Sequence, residues 1–186
     1  IILFTSCASD YYVLNNNRNV KYATLVGNRA ENPLSVYPIA DDAIRLEENS
    51  MTGIRKFETL QYTKSFILKK ISGNKVSIIE RTSPLEKKNI NGLRMEFSDD
   101  GFRFFENNRL IKSDSNIRIN EGETHLFRII QDGDYTTTIM DCDTIVNQKT
   151  AIPASEYTVF RTDKSTEIEI YSFDVVDLYG NKNLFN

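Results

Sequence analysis

The sequence predicts an all-β protein, a two-sheet antiparallel sandwich. Three observations carry that prediction. Short runs rich in β-branched and aromatic residues recur between turn signals from residue 92 to residue 146, which is the pattern of consecutive hairpins. In 93–97, Leu93, Met95 and Phe97 alternate with Arg94 and Glu96, a period of two that fits a half-buried strand and would scatter around a helix. The 186 residues show no long helical periodicity, and about ten to twelve short strands around one core volume call for a sandwich or barrel.

The elements follow in order. Residues 20–26 alternate as a first strand, stopped by Gly27-Asn28, and Asn32-Pro33 and Tyr37-Pro38 make 27–41 a surface connection. Residues 43–47 form a short strand ended by Asn49-Ser50. In 59–71, Tyr62, Phe66 and Leu68 suit either strand or helix spacing, but the Thr-rich start and the Ser72-Gly73-Asn74 turn favour a strand hairpinned to 76–81. Residues 83–88 read as a loop or a single helical turn.

Asp100-Gly101 and Asp132-Gly133 supply residues that tolerate positive φ, and Asn107-Asn108 is a weaker signal of the same kind. The arm 125–130 carries apolar residues on both faces, which predicts a central strand covered on both sides; Phe97, Phe127 and Ile139 are expected inside. Residues 152–156 connect to the last strands, 157–161 and 166–176, and 179–186 form a loose tail.

Composition narrows the function classes. A formal charge of −3, with 23 basic residues scattered along the chain, makes no case for nucleic acid. The absence of Trp lowers the case for a high-affinity glycan site, although Tyr can stack on sugars as well. No stretch has the roughly 18 apolar residues of a transmembrane helix.

The opening Ile-Ile-Leu-Phe-Thr-Ser-Cys7 resembles the lipobox of bacterial lipoproteins. The resemblance implies that 1–7 are the end of a signal peptide, that Cys7 is lipidated, and that 8–18 tether a domain spanning 19–178 to the cell envelope, at the outer membrane. The lipid would be the sole membrane attachment. An ordinary apolar segment is the competing reading, and a Cys7–Cys142 disulfide the weaker one.

His125-x-Phe-Arg-Ile-x-x-Asp-Gly-Asp134, followed by Asp141-x-Asp143 and by Glu167-Ile-Glu-Ile-Tyr171, resembles the concanavalin A-like lectin/glucanase and laminin-G-type jelly rolls. The likeness covers about residues 20–178 and implies that fold; its bearing on function is weak. Glycoside hydrolases of the fold carry Glu-x-Asp-x-x-Glu on one strand, a run this chain lacks. Glu167 and Glu169 therefore read as a solvated face. Asp132, Asp134, Asp141 and Asp143 read as turn residues before Ca²⁺ ligands. A single His125 excludes a multi-His zinc site, and Cys142 has no basic sequence neighbour to activate it. No cofactor or metal is expected.

The candidate ligand-binding set is Arg94, Glu96, Arg103, Arg128 and Tyr135. The first four alternate with apolar residues on strands, and one shared sheet face would give forks and a carboxylate for sugar hydroxyls, with Tyr135 to stack on a ring. A solvated face laced with ion pairs is the alternative. The expectation is a non-catalytic envelope protein that binds a glycan or another envelope component, against a protein-interaction subunit and, third, a glycan-acting enzyme.

Overall fold

The computed structural model describes residues 10–12, 23–25, 36–40, 43–55, 61–82, 91–154 and 157–177. They form β1 (Asp10–Tyr12), β2 (Ala23–Leu25), β3 (Val36–Ala40), β4 (Ala43–Leu46), β5 (Met51–Arg55), β6 (Gln61–Ser72), β7 (Val76–Thr82) and β8 (Leu93–Ser98). Then come β9 (Gly101–Glu106), β10 (Arg109–Asp114), β11 (Thr124–Asp132), β12 (Tyr135–Met140), β13 (Asp143–Lys149), β14 (Tyr157–Thr162) and β15 (Glu167–Asp177).

Two antiparallel sheets face each other. One has the order β10-β9-β8-β7-β14-β5, the other β13-β12-β11-β6-β15-β4-β3, and β1 pairs β2 apart from both. The twelve-residue β6 settles the strand-or-helix question at 61–72, because its burial alternates residue by residue along Tyr62, Lys64, Phe66, Leu68 and Lys70.

Phe66 is the centre of the core. Its ring stacks on Phe127 at 5.4 Å and on Phe173 at 5.5 Å, and meets Phe160 edge-on at 5.1 Å. Phe127 and Phe173 belong to the same sheet as Phe66, and Phe160 comes from the facing one. Such ring pairs add about 0.5–1.5 kcal/mol each to the apolar area they bury.

Several expectations change. Val36–Ala40 is a strand despite Pro38, because it lies at the sheet edge, where a missing N–H breaks no ladder. Met51–Arg55 is also an edge strand, one that Gly53 hides from pattern reading. Within 8–18, Asp10–Tyr12 is paired strand. β11 is covered on one side only: Phe127, Ile129 and Gln131 are buried while Leu126 and Arg128 are exposed. Ile139 pairs Arg128 on that outer face and is half-buried, and Met140, opposite Phe127, turns inward instead.

The hairpin turns sit one residue from their expected places. Ser98 pairs Gly101 and Asp132 pairs Tyr135, so the two-residue loops are Asp99-Asp100 and Gly133-Asp134. Asn107-Asn108 is the left-handed pair, with φ of 46° and 67°, as a type I′ turn requires.

A polar layer crosses the sandwich at one end. Lys64 Nζ donates to Glu80 Oε2 at 2.7 Å and to Thr158 Oγ1 at 2.5 Å, and Thr158 donates to Glu80 Oε1 at 2.6 Å. All three residues are fully buried. Next to it, Arg81 takes a left-handed φ of 55° where the β7–β14 register slips. A bulge of this kind turns two consecutive side chains to one side, so Glu80 and Arg81 both reach inward. Arg81 donates to Thr136 Oγ1 at 3.0 Å, to Gly133 O at 2.6 Å and to Ile152 O.

Candidate functional site

The outer face of the six-stranded sheet carries the main constellation. The registers align Met51, Arg161, Ser77, Glu96 and Arg103 in one row across β5, β14, β7, β8 and β9. A second row runs Val159, Ile79, Arg94, Phe105. Ile79 and Val159 are buried although they face away from the Phe66 core, and β2 lies near β5.

Ser77 is small and stands between Arg161 and Glu96, which leaves a depression of about 250 Å³. Arg94 and Glu96 line one side and Arg161 the other, and Asn49, Lys75 and residues 162–164 close it. Four cations thus meet two carboxylates, in a chain whose formal charge is −3.

Arg94 is held rigidly. Its guanidinium carbon lies 4.4 Å from the Phe105 ring centre, Nη1 donates to Asn108 Oδ1 at 3.0 Å, and Nε lies 3.1 Å from Glu96 Oε1. That last contact is an ion pair without hydrogen-bond alignment, so the buried Nε–H is unsatisfied. Among the described residues, the side chains of Lys75, Arg161 and Lys164 make no hydrogen bond or ion pair. Asp163 Oδ1 accepts from the Thr166 hydroxyl.

The rim is tied across three turns. Asn49 N donates to Asp163 O at 2.6 Å, Asp163 N to Lys75 O at 3.3 Å, and Thr162 N to Ser50 O at 2.9 Å. Lys75 N donates to Thr166 Oγ1 at 2.9 Å. Gly73, at φ +86°, packs so closely that a Cβ there would lie 2.0 Å from Ser165 O. Gly73→Ala is therefore expected to cost about 1–3 kcal/mol and to loosen the rim. Urea denaturation measures the first effect, and amide exchange at Asp163 and Thr166 the second.

Arg94, Glu96 and Arg103 do come together, with Arg103 opposite Glu96. Arg128 and Tyr135 do not join them. They project from β11 and β12 on the outer face of the other sheet, where Lys149 Nζ lies 5.7 Å from the Tyr135 ring. A shared face is the expectation for Arg128 because, like Arg94, Glu96 and Arg103, it alternates with apolar neighbours, and alternation says nothing about which sheet a strand joins. Arg161, Lys75, Lys164 and Ser77 were not foreseen. Their place depends on β14 pairing β7, a partner about 80 residues away in the chain.

Two other clusters complete the polar surface. His125 sits between Asp141 Oδ2, 2.9 Å from Nδ1, and Glu123 Oε2, 3.3 Å from Nε2. Burial would raise the Asp141 carboxyl, but hydrogen bonds from His125 and the Leu126 amide outweigh it and leave it below the ordinary value. Asn120 is the main cause of a similar lowering at Glu123. Glu169 is not solvated: it is 5% exposed and accepts from Arg45 and the Tyr171 hydroxyl. Cys142 is exposed and free in the β12–β13 turn. Among the described residues no His, Cys, Asp and Glu side chains gather as a metal site. Cys7 and the tail 179–186 lie outside the described residues.

No protein-family model matches the chain, and no curated protein matches its sequence. Solved structures do match. The carbohydrate-binding module CBM66 from Bacillus subtilis is 13% identical, over 71% of this chain and 85% of that one, with a TM-score of 0.54. The alginate lyase A1-II′ is 11% identical, over 77% and 83%, with a TM-score of 0.57. The exoplasmic/lumenal domain of VIP36, in its Ca²⁺/Man-bound form, is 11% identical over 74% and 80%, at 0.53. At these identities the likeness establishes the fold, a jelly-roll sandwich of two antiparallel sheets.

Proposed function

We propose that this domain binds carbohydrate without catalysis, in the groove on the outer face of the six-stranded sheet. The observation that carries the reading is Arg94, stacked on Phe105 and braced by Asn108 and Glu96 beside an open polar depression. A planar, pre-oriented fork with a neighbouring carboxylate offers donors and acceptors to adjacent hydroxyls at little ordering cost. Arg103, opposite Glu96, extends the same surface. Carbohydrate-binding proteins among the structural neighbours support the reading at the level of fold.

Affinity electrophoresis and a broad glycan array test it. Wild-type protein is expected to be retarded by at least one polysaccharide, and Arg94→Ala or Glu96→Ala to weaken binding about tenfold or more. Silence on every glycan would overturn the reading. It would favour a protein-interaction subunit, a role for which Leu126 and Tyr135, 40% and 49% exposed on the other outer face, are the specific observation. Turnover of a labelled polysaccharide would contradict the non-catalytic part.

The envelope setting belongs to the same proposal and rests on the residues ending in Cys7. Palmitate labelling of the protein in a bacterial host is expected, and Cys7→Ala is expected to abolish it. Unchanged labelling of that variant would remove the anchor.

A further inference from the structure

We infer that the groove selects glycans carrying anionic groups, carboxylate or sulfate, over neutral ones; this rests on the carbohydrate reading above and sharpens it. Gathering Lys75, Arg94, Arg161 and Lys164 around about 250 Å³ places like charges together, an arrangement that repels itself unless an anion sits among them. Glu96 and Asp163 line the same groove and offset two of these four charges, which leaves an excess of two cations for a ligand anion to meet. Lys75, Arg161 and Lys164 have no carboxylate partner among the described residues.

The background charge gives this weight. The whole chain carries −3, so it repels polyanions at long range, and the cationic groove stands against that field. The cations also come from three separate places in the chain: Lys75 before β7, Arg94 on β8, and Arg161 and Lys164 around the end of β14. Along the row itself the signs alternate, Arg161, Glu96 and Arg103, as on a solvated charged face; what departs from that pattern is Lys75 and Lys164, added at the closed end beside Arg161. The rim hydrogen bonds among Asn49, Asp163 and Lys75 hold this end in place before any ligand arrives.

The carboxylate or ester oxygens of one charged sugar would lie over Ser77, accepting from Arg161 and the flanking lysines. Neighbouring hydroxyls would meet Arg94 and Glu96. Charge-assisted hydrogen bonds of this kind are the strong ones.

Titration calorimetry decides it with three probes: a polyuronate hexasaccharide, the same hexasaccharide with its carboxylates reduced to primary alcohols, and a sulfated oligosaccharide of equal length. The polyuronate or the sulfated probe is expected to bind at least tenfold more tightly than the reduced one; which of the two binds better identifies the anion. Arg161→Ala is expected to weaken the charged probe about ten- to hundredfold and to leave the reduced one within about twofold. Lys149→Ala, on the other sheet, removes the same charge without effect. Raising salt from about 0.05 to about 0.5 M is expected to erase most of the preference.

Equal binding of charged and reduced probes, or a loss in Arg161→Ala that is the same for both, would overturn the inference while leaving carbohydrate binding in place. Binding of none of the three, with a silent glycan array, would overturn both.

Discussion

Phe66→Ala is expected to lower the unfolding free energy by about 4 kcal/mol, the largest loss for any apolar truncation in this domain. Phe66 is fully buried at the middle of β6. Its ring is shared by Phe127 and Phe173 in its own sheet and by Phe160 in the facing one. Removing it opens a cavity that three neighbouring rings, each fixed on a paired strand, cannot collapse into. Against a domain stability of about 5–15 kcal/mol, the shift in urea midpoint should be plain. Phe66→Leu keeps most of the volume and should recover over half of the loss. A change below about 1 kcal/mol in Phe66→Ala would mean that the core is centred elsewhere.

Lys64→Met is the second large effect, about 3–5 kcal/mol, because it strands the Glu80 carboxylate in the interior. Glu80→Leu should cost a similar amount by stranding the ammonium. The double variant Lys64→Met with Glu80→Leu should be far milder than the sum. Its residual loss reflects Thr158, whose hydroxyl now hydrogen-bonds both partners. Additive single effects would show that the two charges are not coupled.

The same pair sets an alkaline limit. Burial pulls the Lys64 ammonium down, but Glu80 and Tyr62 more than reverse this and leave it above the ordinary lysine value. Burial pushes the Tyr62 hydroxyl above the ordinary phenol value. Both groups therefore hold protons in the folded state at a pH where the unfolded chain has lost them. Their contribution is complete below about pH 10 and is lost as pH rises through the folded values. Unfolding free energies at about pH 9 and about pH 11 should differ in the wild type, and less in the double variant. An equal slope in both would sink the assignment.

Much of the fold was legible because its code is local. The alternation of Leu93, Met95 and Phe97 and the turn chemistry near Gly101 and Gly133 specify hairpins without distant information. What escaped was non-local. β6 is paired by β11 and β15, and β14 inserts between β7 and β5; no run of residues announces either. The edge strand holding Pro38 escaped for a related reason, since its tolerance comes from having a neighbour on one side only. Buried Thr136 beside half-buried Ile139 inverts simple hydrophobic alternation, because Arg81 and Gln131 supply Thr136 with partners.

The site was half legible. Arg94, Glu96 and Arg103 declare themselves through period-two spacing on two strands joined by a tight turn. Arg161 looks like the polar end of an unrelated strand until the register sets it beside Ser77. Arg128 shares the period-two signature but belongs, with Tyr135, to the other sheet, which period alone cannot distinguish.

Backbone amide shifts during titration with the tighter-binding of the two charged probes, polyuronate or sulfated, test the central claim most directly. The expected result is a set of saturable perturbations along the two outer rows, at Ser77, Arg94, Glu96 and Arg161, with Phe66 and the β11–β12 hairpin unmoved. Perturbations centred on Arg128 and Tyr135, or none at the groove while the sugar still binds, would contradict it.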